Sequence, residues 1–357
     1  MGLLHTKWYR ETEFSTGPRD LITDVPGLAV GHVTIAEGSK QTGFTAIIPR
    51  EDIFLRKCCA ASHVINGFGK TAGLVQVNEL GSLESPILMC NTLQVGTAWQ
   101  ALSKYLVEKN PELRSVNPVV VECNDGYLND IRTFSLTEEM AQEAIDNAGR
   151  DFAEGAVGAG RGMVCHGLSG GIGSASRIID LAGEIYTLGV LVLANHGLMR
   201  DLIFNGKEIG PQIWERIQGR KAEAQNESKI MLNEAESAPG NIIDQGSVIV
   251  IIATDIPLDS LQLRRISHRA VSGLSRTGSK MGHGSGEIVI TFTTANEIPH
   301  KEESPFRSQT ILANQEINKV FRMTVDAVEE SVLSSLIHAE KVQGVGGHNV
   351  ESLVNFV

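Results

Sequence analysis

The sequence predicts an α/β fold in which β-sheets are covered on both faces. Its 37 glycines separate short runs rich in β-branched residues, a pattern typical of strands that alternate with helices. Several of these runs, such as 248–252, are apolar at every position, which indicates strands that meet no water on either side. Longer segments between the runs have helical periodicity, and 357 residues suffice for one large α/β domain.

The predicted strands share a high content of Val, Ile and other residues that favour extended backbone. They cover residues 28–35, 44–48, 86–90, 119–123, 186–194, 247–254 and 287–294. Their short lengths suit buried strands of one compact domain.

Four segments place apolar residues at helical spacing. They are residues 92–108, residues 136–147 behind the possible capping box Ser135-x-x-Glu138, a helix that opens at Pro257 and carries Leu261, Ile266, Ala270 and Leu274, and residues 311–340. We interpret these apolar stripes as core. Residues 218–245 are polar and contain Ala238-Pro239-Gly240, so we predict an exposed connection there.

Composition excludes several classes of function. The formal net charge is −11 without any Lys/Arg cluster, so a nucleic-acid partner is not expected. The longest apolar stretches, 188–194 and 248–253, are far shorter than the ~18 residues of a membrane span. Residues 1–14 lack the layout of a secretory signal, and we expect a cytoplasmic protein.

The cysteines and histidines give no recognisable metal or disulfide pattern. The five cysteines lack C-x-x-C spacing, which favours buried thiols in a reducing compartment. The ten histidines include no H-E-x-x-H motif. We therefore predict neither a disulfide framework nor a metal site.

Two glycine-rich motifs resemble known sites only superficially. Gly67-Phe68-Gly69-Lys70-Thr71 lacks the first glycine of a phosphate loop, because Val64 occupies that position. Gly167-Leu168-Ser169-Gly170-Gly171 satisfies G-x-S-x-G, the elbow of α/β-hydrolases, but no strong strand precedes it and further glycines follow. A tight glycine loop is the better interpretation.

The sharpest local feature is the junction Gly246-Ser247, where a polar segment meets the strongest β-branched run of the chain. A serine after a glycine can attack the preceding carbonyl in an N-to-O acyl shift, since glycine leaves that carbonyl unhindered. Hydrolysis would make Ser247 a new N-terminus, and its α-amine could activate its own hydroxyl. Taken alone, the motif fits a structural turn equally well.

A wider set of ordered motifs changes this balance. They are Leu21-Ile22-Thr23-Asp24-Val25-Pro26-Gly27, Val30-Gly31-His32-Val33-Thr34, Asn66-Gly67-Phe68-Gly69, residues 79–87, Asn91-Thr92-Leu93-Gln94-Val95-Gly96, Glu122-Cys123-Asn124-Asp125-Gly126, the glycine tract 155–173, Ala194-Asn195 and Gly246-Ser247. Together they resemble the serine aminopeptidase family of L-aminopeptidase/D-amidase-esterases and β-peptidyl aminopeptidases. The resemblance covers most of the chain.

This resemblance implies a precursor, residues 1–357, that cuts itself between Gly246 and Ser247. The products would be an α chain of residues 1–246 and a β chain of residues 247–357. Ser247 would act both in processing and in hydrolysis. The family's second serine and glutamate fall at Ser285 and Glu287, where a hydroxyl and a carboxylate two residues apart can share one strand face and relay protons.

The resemblance also implies a substrate pocket. Asn195 matches the family asparagine that stabilises the oxyanion, and Glu122 matches an acidic residue expected to pair with the substrate's free ammonium. Asn124 would line the same pocket, although relatives vary there. Lys70 and Cys123 depart from the pattern and bear on substrate scope.

The fold implied by the resemblance is a four-layer αββα sandwich, shared with ornithine acetyltransferases. The expected function is a serine aminopeptidase or amidase acting on short peptides or amides, without cofactor or membrane partner, as a homo-oligomer of αβ protomers. Two alternatives stay open at this point. An N-acyltransferase of the same architecture would more typically use threonine as nucleophile, and a non-catalytic binding protein could retain the fold.

Overall fold

Two β-sheets stack face to face between helices in the computed structural model, which describes residues 9–227 and 246–357 and gives the side chains of all of these except 220–227. Sheet I has the strand order β1-β2-β5-β6. Its strands are β1 (Ala29–Glu37), β2 (Lys40–Ile48), β5 (Ile87–Asn91) and β6 (Val119–Cys123). The β5/β6 pair is parallel and the other two pairs are antiparallel.

Sheet II is larger and has the order β4-β3-β14-β13-β10-β9. Its strands are β3 (Arg56–Gly67), β4 (Ser82–Leu83), β9 (Gly171–Leu181), β10 (Glu184–Asn195), β13 (Ser247–Thr254) and β14 (Gly286–Pro299). Only β13 and β14 run parallel within this sheet; the remaining neighbours are antiparallel. Short hairpins pair β7 (Val164–Cys165) with β8 (Leu168–Ser169), β11 (Ile203–Phe204) with β12 (Lys207–Glu208) and β15 (Val342–Gln343) with β16 (Asn349–Val350).

The described residues contain seven α-helices, and all but the first form the two outer layers. They are α1 (Leu74–Leu80), α2 (Val95–Lys109), α3 (Glu138–Asp146), α4 (Gly210–Glu227), α5 (Ser260–Ser267), α6 (Ala270–Arg276) and α7 (Ile317–His338). Apolar residues of α2 and α3 pack on the outer face of sheet I. Those of α4 to α7 pack on the outer face of sheet II. The αββα sandwich is thereby confirmed.

Strand β13 explains why its sequence is apolar throughout. Val248, Val250 and Ile252 point to the helical layer, whereas Ile249 and Ile251 point into the core between the two sheets. Successive side chains alternate between the faces of a strand, so a strand covered on both faces has no position for a polar residue. The prediction from the 248–252 run is confirmed.

Strand β9 lies unusually close to α7, and glycine permits the approach. A Cβ placed on Gly173 would lie 1.9 Å from the carbonyl oxygen of Ser331. Helix α7 therefore seats its backbone directly on the sheet. Such contact requires a residue without a side chain.

Several helix boundaries differ from the predictions. Thr137, not Ser135, caps α3, and its side chain accepts a hydrogen bond from the Met140 N–H. Asp259 caps α5 in a capping box with Gln262, so Pro257 lies before the helix. The predicted continuous helix also divides into α5 and α6. Local side-chain acceptors therefore set these starts more strongly than apolar spacing does.

The first ten residues of the segment predicted as an exposed connection are helical. Helix α4 continues to Glu227, so residues 218–227 are helical, and residues 228–245 lie outside the described part of the chain. The G-x-S-x-G segment contains the turn and second strand of the β7/β8 hairpin, and the buried Ser169 hydroxyl donates to the Val350 carbonyl at 3.1 Å. Across the described ranges, no helix combines the length and apolar character that spanning a bilayer demands.

Candidate active site

Ser247 occupies the first position of β13, a central strand of sheet II, and lies at the level where β10 ends and β14 begins. The antiparallel register places it opposite Asn195, the last residue of β10. On its other side, the parallel register places it beside Gly286, the first residue of β14. Two residues far apart in sequence are thus fixed next to Ser247 by strand pairing alone.

The backbone around Gly286 is shaped to admit the serine side chain. A Cβ on Gly286 would lie 3.4 Å from Ser247 Oγ and 2.5 Å from the Phe68 carbonyl oxygen. The Gly286 N–H donates to the Gly246 carbonyl oxygen at 3.2 Å. The carbonyl that precedes Ser247 is therefore already polarised by a hydrogen bond.

Ser285 and Glu287 are brought together as predicted. The Ser285 hydroxyl donates to Glu287 Oε1, and both residues are fully buried. Glu287 is in turn paired with Val248 in the parallel register. A carboxylate bonded to a hydroxyl beside the serine strand is an arrangement that can move a proton.

Asn195 has its amide oriented at both ends. Its Oδ1 accepts the Val164 N–H at 2.8 Å, and its Nδ2 donates to the Asn124 carbonyl at 3.0 Å. An amide nitrogen carries two hydrogens, and the described residues provide no acceptor for the second. Asn195 and Ser247 are each 8% exposed.

Glu122 lies beneath the loop that joins β3 to α1. It is 4% exposed, and its Oε1 accepts the backbone N–H of Lys70 at 2.8 Å. A Cβ on Gly69 would lie 3.3 Å from the same oxygen. The loop therefore connects Gly286, through the Phe68 carbonyl, with the carboxylate of Glu122.

Cys123 is a fully buried residue next to Glu122 in strand β6. Burial raises the pKa of its thiol well above the usual value, and the charges of Glu122 and Glu287 add to the effect. The thiol donates weakly to the Leu193 carbonyl at 3.6 Å. Cys123 is therefore a neutral, packed side chain and not a nucleophile.

Asn124, predicted to line the substrate pocket, contacts the active-site asparagine through its backbone. Its backbone carbonyl holds Asn195, while its side-chain Oδ1 accepts the Gly126 N–H at 2.8 Å. The neighbouring Asp125 is buried, and burial raises the pKa of its carboxyl to about 6 despite hydrogen bonds from Thr42 and Asn129. The loop after β6 is thus a fixed support for the asparagine.

Asn66 is a supporting residue to which the sequence assigned no role. Its Nδ2 donates to the Gly282 carbonyl at 2.9 Å and also to the Ser285 carbonyl. It lies opposite Glu287 in the register. Its place in the Asn66-Gly67-Phe68-Gly69 motif was the available signal, but that pattern alone does not say what the amide holds.

One group among the described residues could hold a metal ion, which the sequence did not predict. Cys165, His166 and His196 place their ligand atoms within 4.8 Å of one another. Burial, with a smaller effect from His166, lowers the pKa of His196 to about 3. The imidazole is therefore neutral at ordinary pH. His196 directly follows Asn195, so this group adjoins the candidate site without belonging to it.

The stacked sheets between helices make the protein an α/β sandwich. A serine beside an asparagine and near a buried Ser–Glu pair, where three strands end or begin, is the kind of site found in hydrolases. Comparison with known proteins makes the assignment specific. Residues 20–350 match peptidase family S58. The chain belongs to this family and is a serine aminopeptidase/amidase, a hydrolase of peptide and amide bonds.

Three relatives illustrate the similarity. The β-peptidyl aminopeptidase BapA of Sphingosinicella xenopeptidilytica is 35% identical over 357 residues, covering 95% of this chain and 85% of the relative. A protein from Pyrococcus horikoshii OT3 with a crystal structure is 41% identical, covers 97% of this chain and 94% of its own, and has a TM-score of 0.86.

The third relative is the L-aminopeptidase D-Ala-esterase/amidase from Ochrobactrum anthropi, described as a prototype of the serine aminopeptidases and a variant of the Ntn hydrolase fold. It is 31% identical, covers 96% of this chain and 93% of its own, and has a TM-score of 0.84. The family expected from the sequence motifs is confirmed.

Proposed function

We propose that the chain is a precursor that cleaves its own Gly246–Ser247 bond. Ser247 Oγ attacks the Gly246 carbonyl carbon, the C–N bond breaks, and an ester links Gly246 to the serine oxygen. Breaking of the C–N bond frees the Ser247 α-amine, which takes up the proton from the hydroxyl. Water then hydrolyses the ester, releasing the Gly246 carboxylate and restoring the Ser247 hydroxyl. The observation that carries this proposal is the Gly286 N–H, which donates to the Gly246 carbonyl oxygen at 3.2 Å and would stabilise charge there during attack.

The proton of the Ser247 hydroxyl needs an acceptor before the α-amine is free. The Ser285 hydroxyl bonded to Glu287 lies one residue from Gly286 and can relay this proton. After cleavage, the Ser247 α-amine becomes available, with a reference pKa of about 7.7–8.0. A terminal amine is a known activator of a hydroxyl nucleophile, so it would serve as general base for the substrate reaction.

The substrate reaction then follows the same acyl-transfer chemistry. Ser247 Oγ attacks the carbonyl of the substrate's first residue, the Asn195 amide donates to the oxyanion, and the leaving amine takes up a proton. Water releases the acyl group as a free amino acid and restores the serine. No cofactor takes part in these steps.

Glu122 would select an unblocked N-terminus. Its carboxylate is buried, and one oxygen is already held by the Lys70 N–H, so the group is fixed in orientation. A charge-assisted hydrogen bond from the substrate ammonium is stronger than a neutral one. We propose short peptides, amides or esters of L- or β-amino acids as substrates, by similarity to the relatives named above.

The proposal also covers the cellular compartment and the oligomeric state of the protein. The five cysteines are free and buried, which suits a reducing cytoplasm. We propose a homo-oligomer of αβ protomers, as the family resemblance implies.

Denaturing electrophoresis of the purified protein tests processing. We expect bands of roughly 27 and 12 kDa, shared from 38.5 kDa by residue number, as cleavage to an active terminal serine requires. Ser247→Ala should remain full length and inactive. Ser169→Ala is the matched control, because Ser169 is also buried at a strand but lies in the glycine turn. Wild-type enzyme that hydrolyses amides while remaining intact would contradict the proposal.

Anilide substrates then test selectivity. We expect release of aniline from β-alanyl and L-alanyl anilides, in a ratio that defines the preference, and no release when the substrate amine is acetylated. Hydrolysis of the acetylated substrates at equal rate would contradict the role of Glu122.

A further inference from the structure

A buried Cys–His–His cluster lies directly behind the asparagine of the active site. It consists of Cys165 at the end of β7, His166 in the following turn and His196 after β10. One sulfur or nitrogen atom from each lies within 4.8 Å of the other two. All three residues are at most 2% exposed. Three good metal ligands therefore converge in a place that solvent barely reaches.

His196 lacks the contacts that a buried imidazole normally makes. Neither Nδ1 nor Nε2 has a hydrogen-bond partner among the described residues. Buried polar side chains are in the large majority of cases hydrogen-bonded, because an unmade bond in the interior is unfavourable. A ligand that accepts a nitrogen lone pair would satisfy the ring.

His166 is held as metal-binding histidines are usually held. Its Nδ1 lies 3.1 Å from the Leu198 carbonyl oxygen. A carbonyl only accepts, so Nδ1 carries a proton and Nε2 is the ring nitrogen that can bind a metal. This outer hydrogen bond fixes tautomer and ring orientation, a recurrent feature of histidine ligands. The His166 N–H also donates to the His196 carbonyl at 2.8 Å, which ties the two ligand segments together.

We propose that Cys165, His166 and His196 bind a zinc ion. One thiolate and two imidazoles are a ligand set suited to Zn²⁺. On binding, the Cys165 S–H bond breaks, its proton passes to solvent, and sulfur and two nitrogens donate electron pairs to the metal. No electron is transferred. Three protein ligands leave the fourth position of a tetrahedral ion to water.

The ion would brace the active-site asparagine and take no part in chemistry. Val164, next to Cys165, donates its N–H to Asn195 Oδ1 at 2.8 Å, and His196 follows Asn195 in the chain. The segment that donates to the asparagine amide and the segment that carries the asparagine would thus be joined through one metal. Its loss would lower the melting temperature first and activity only through the position of Asn195.

Metal content of the full-length enzyme tests the site. Protein stripped with a chelator, reloaded with Zn²⁺ and dialysed against a weak competing chelator should retain about one zinc per chain. Cys165→Ala should retain none. Cys58→Ala, which removes another fully buried thiol from β3, should retain the wild-type amount. Equal zinc in Cys165→Ala and wild type, or no zinc in wild type, would overturn the proposal.

Two further readouts separate metal binding from misfolding. Reloading with Co²⁺ should give wild type a thiolate-to-cobalt absorption band that Cys165→Ala lacks. His196→Leu should melt no lower than wild type when both are stripped, because it replaces an unpaired buried polar group by an apolar one. Zinc should then raise the melting temperature of wild type but not of His196→Leu. A stripped His196→Leu that melts far below stripped wild type would overturn the proposal.

Discussion

The asparagine beside Ser247 offers the most direct test of the acyl-transfer mechanism. Asn195→Asp leaves the size of the side chain and the oxygen that accepts the Val164 N–H at 2.8 Å. It replaces the donor nitrogen by oxygen, so the side chain can no longer donate to the oxyanion. Loss of one such donor is worth about 2.7–4 kcal/mol, and kcat should fall about 10²- to 10³-fold.

Asn195→Ala supplies the structural comparison. Both variants lose the donor to the Asn124 carbonyl, which the asparagine binds at 3.0 Å, but only Asn195→Ala also leaves the Val164 N–H without the acceptor that lies 2.8 Å away. Each lost bond should lower the free energy of unfolding by about 1 kcal/mol. The two variants should therefore share a low kcat and differ in stability.

The assay is hydrolysis of L-alanyl anilide, with kcat expressed per processed chain counted on a denaturing gel. That normalisation separates a defect in self-cleavage from a defect in turnover. Thermal melting by circular dichroism provides the stability comparison. A kcat within about threefold of wild type in fully processed Asn195→Asp would refute the oxyanion role, because the loss of a real donor is at least tens of times larger.

Other perturbations follow from the same structure. Glu122→Gln should raise KM for substrates with a free amine about tenfold or more, the loss of one charge-assisted hydrogen bond, and steady-state kinetics showing an unchanged KM would exclude the ammonium pocket. Burial raises the pKa of Glu154 from its usual value of 4.5 to about 8 in the folded state. Between these two pH values the folded state holds a proton that the unfolded chain has lost. The free energy of unfolding therefore falls as the pH rises through this window. Glu154→Gln should flatten that dependence and add about 2–4 kcal/mol at pH 8 and above, whereas denaturant curves parallel to wild type at every pH would contradict the assignment. Gly173→Ala should destabilise the fold by several kcal/mol or prevent folding, since its Cβ would lie 1.9 Å from the Ser331 carbonyl; a melting temperature equal to wild type would show that α7 can shift.

Strands with both faces buried could be predicted, and strands shaped by close backbone contact could not. The predicted segment 247–254 coincides with β13, and 119–123 with β6, because continuous β-branched residues leave few other readings. Strand β9 begins Gly171-Ile172-Gly173-Ser174-Ala175-Ser176 and was missed. Its small residues admit α7, a tertiary demand that local propensity does not express.

Strand β3 was missed for a related reason. Its sequence holds two cysteines and two alanines in a row, none of which favours strand strongly. It is placed between β4 and β14 by sheet pairing. Its end delivers Asn66 and the loop over Glu122, so the error in this strand also concealed a support of the active site.

The site itself depended on resemblance more than on local chemistry. Ser285 and Glu287 were assigned through the resemblance, their spacing showing only that they could share a strand face, and the hydrogen bond between them is present. The adjacency of Asn195 and Ser247 is a product of strand register, which the sequence does not encode in any short motif. The same holds for Cys165, at the end of β7, and His196, directly after β10, which meet only in the folded chain.

The order of strands in sheet II determines what a break before Ser247 would do to the molecule. The carboxyl-terminal piece would contain β13 and β14. These strands lie between β10 and β3, which both belong to the amino-terminal piece. Separating the two pieces would break the hydrogen bonds of the β3/β14 and β13/β10 pairs in the middle of the sheet. It would also remove α5 to α7 from the outer face of the sheet. The cleaved protein would therefore stay associated as one folded unit. After separation in denaturant, the two pieces would have to refold by association, because no covalent connection would join them.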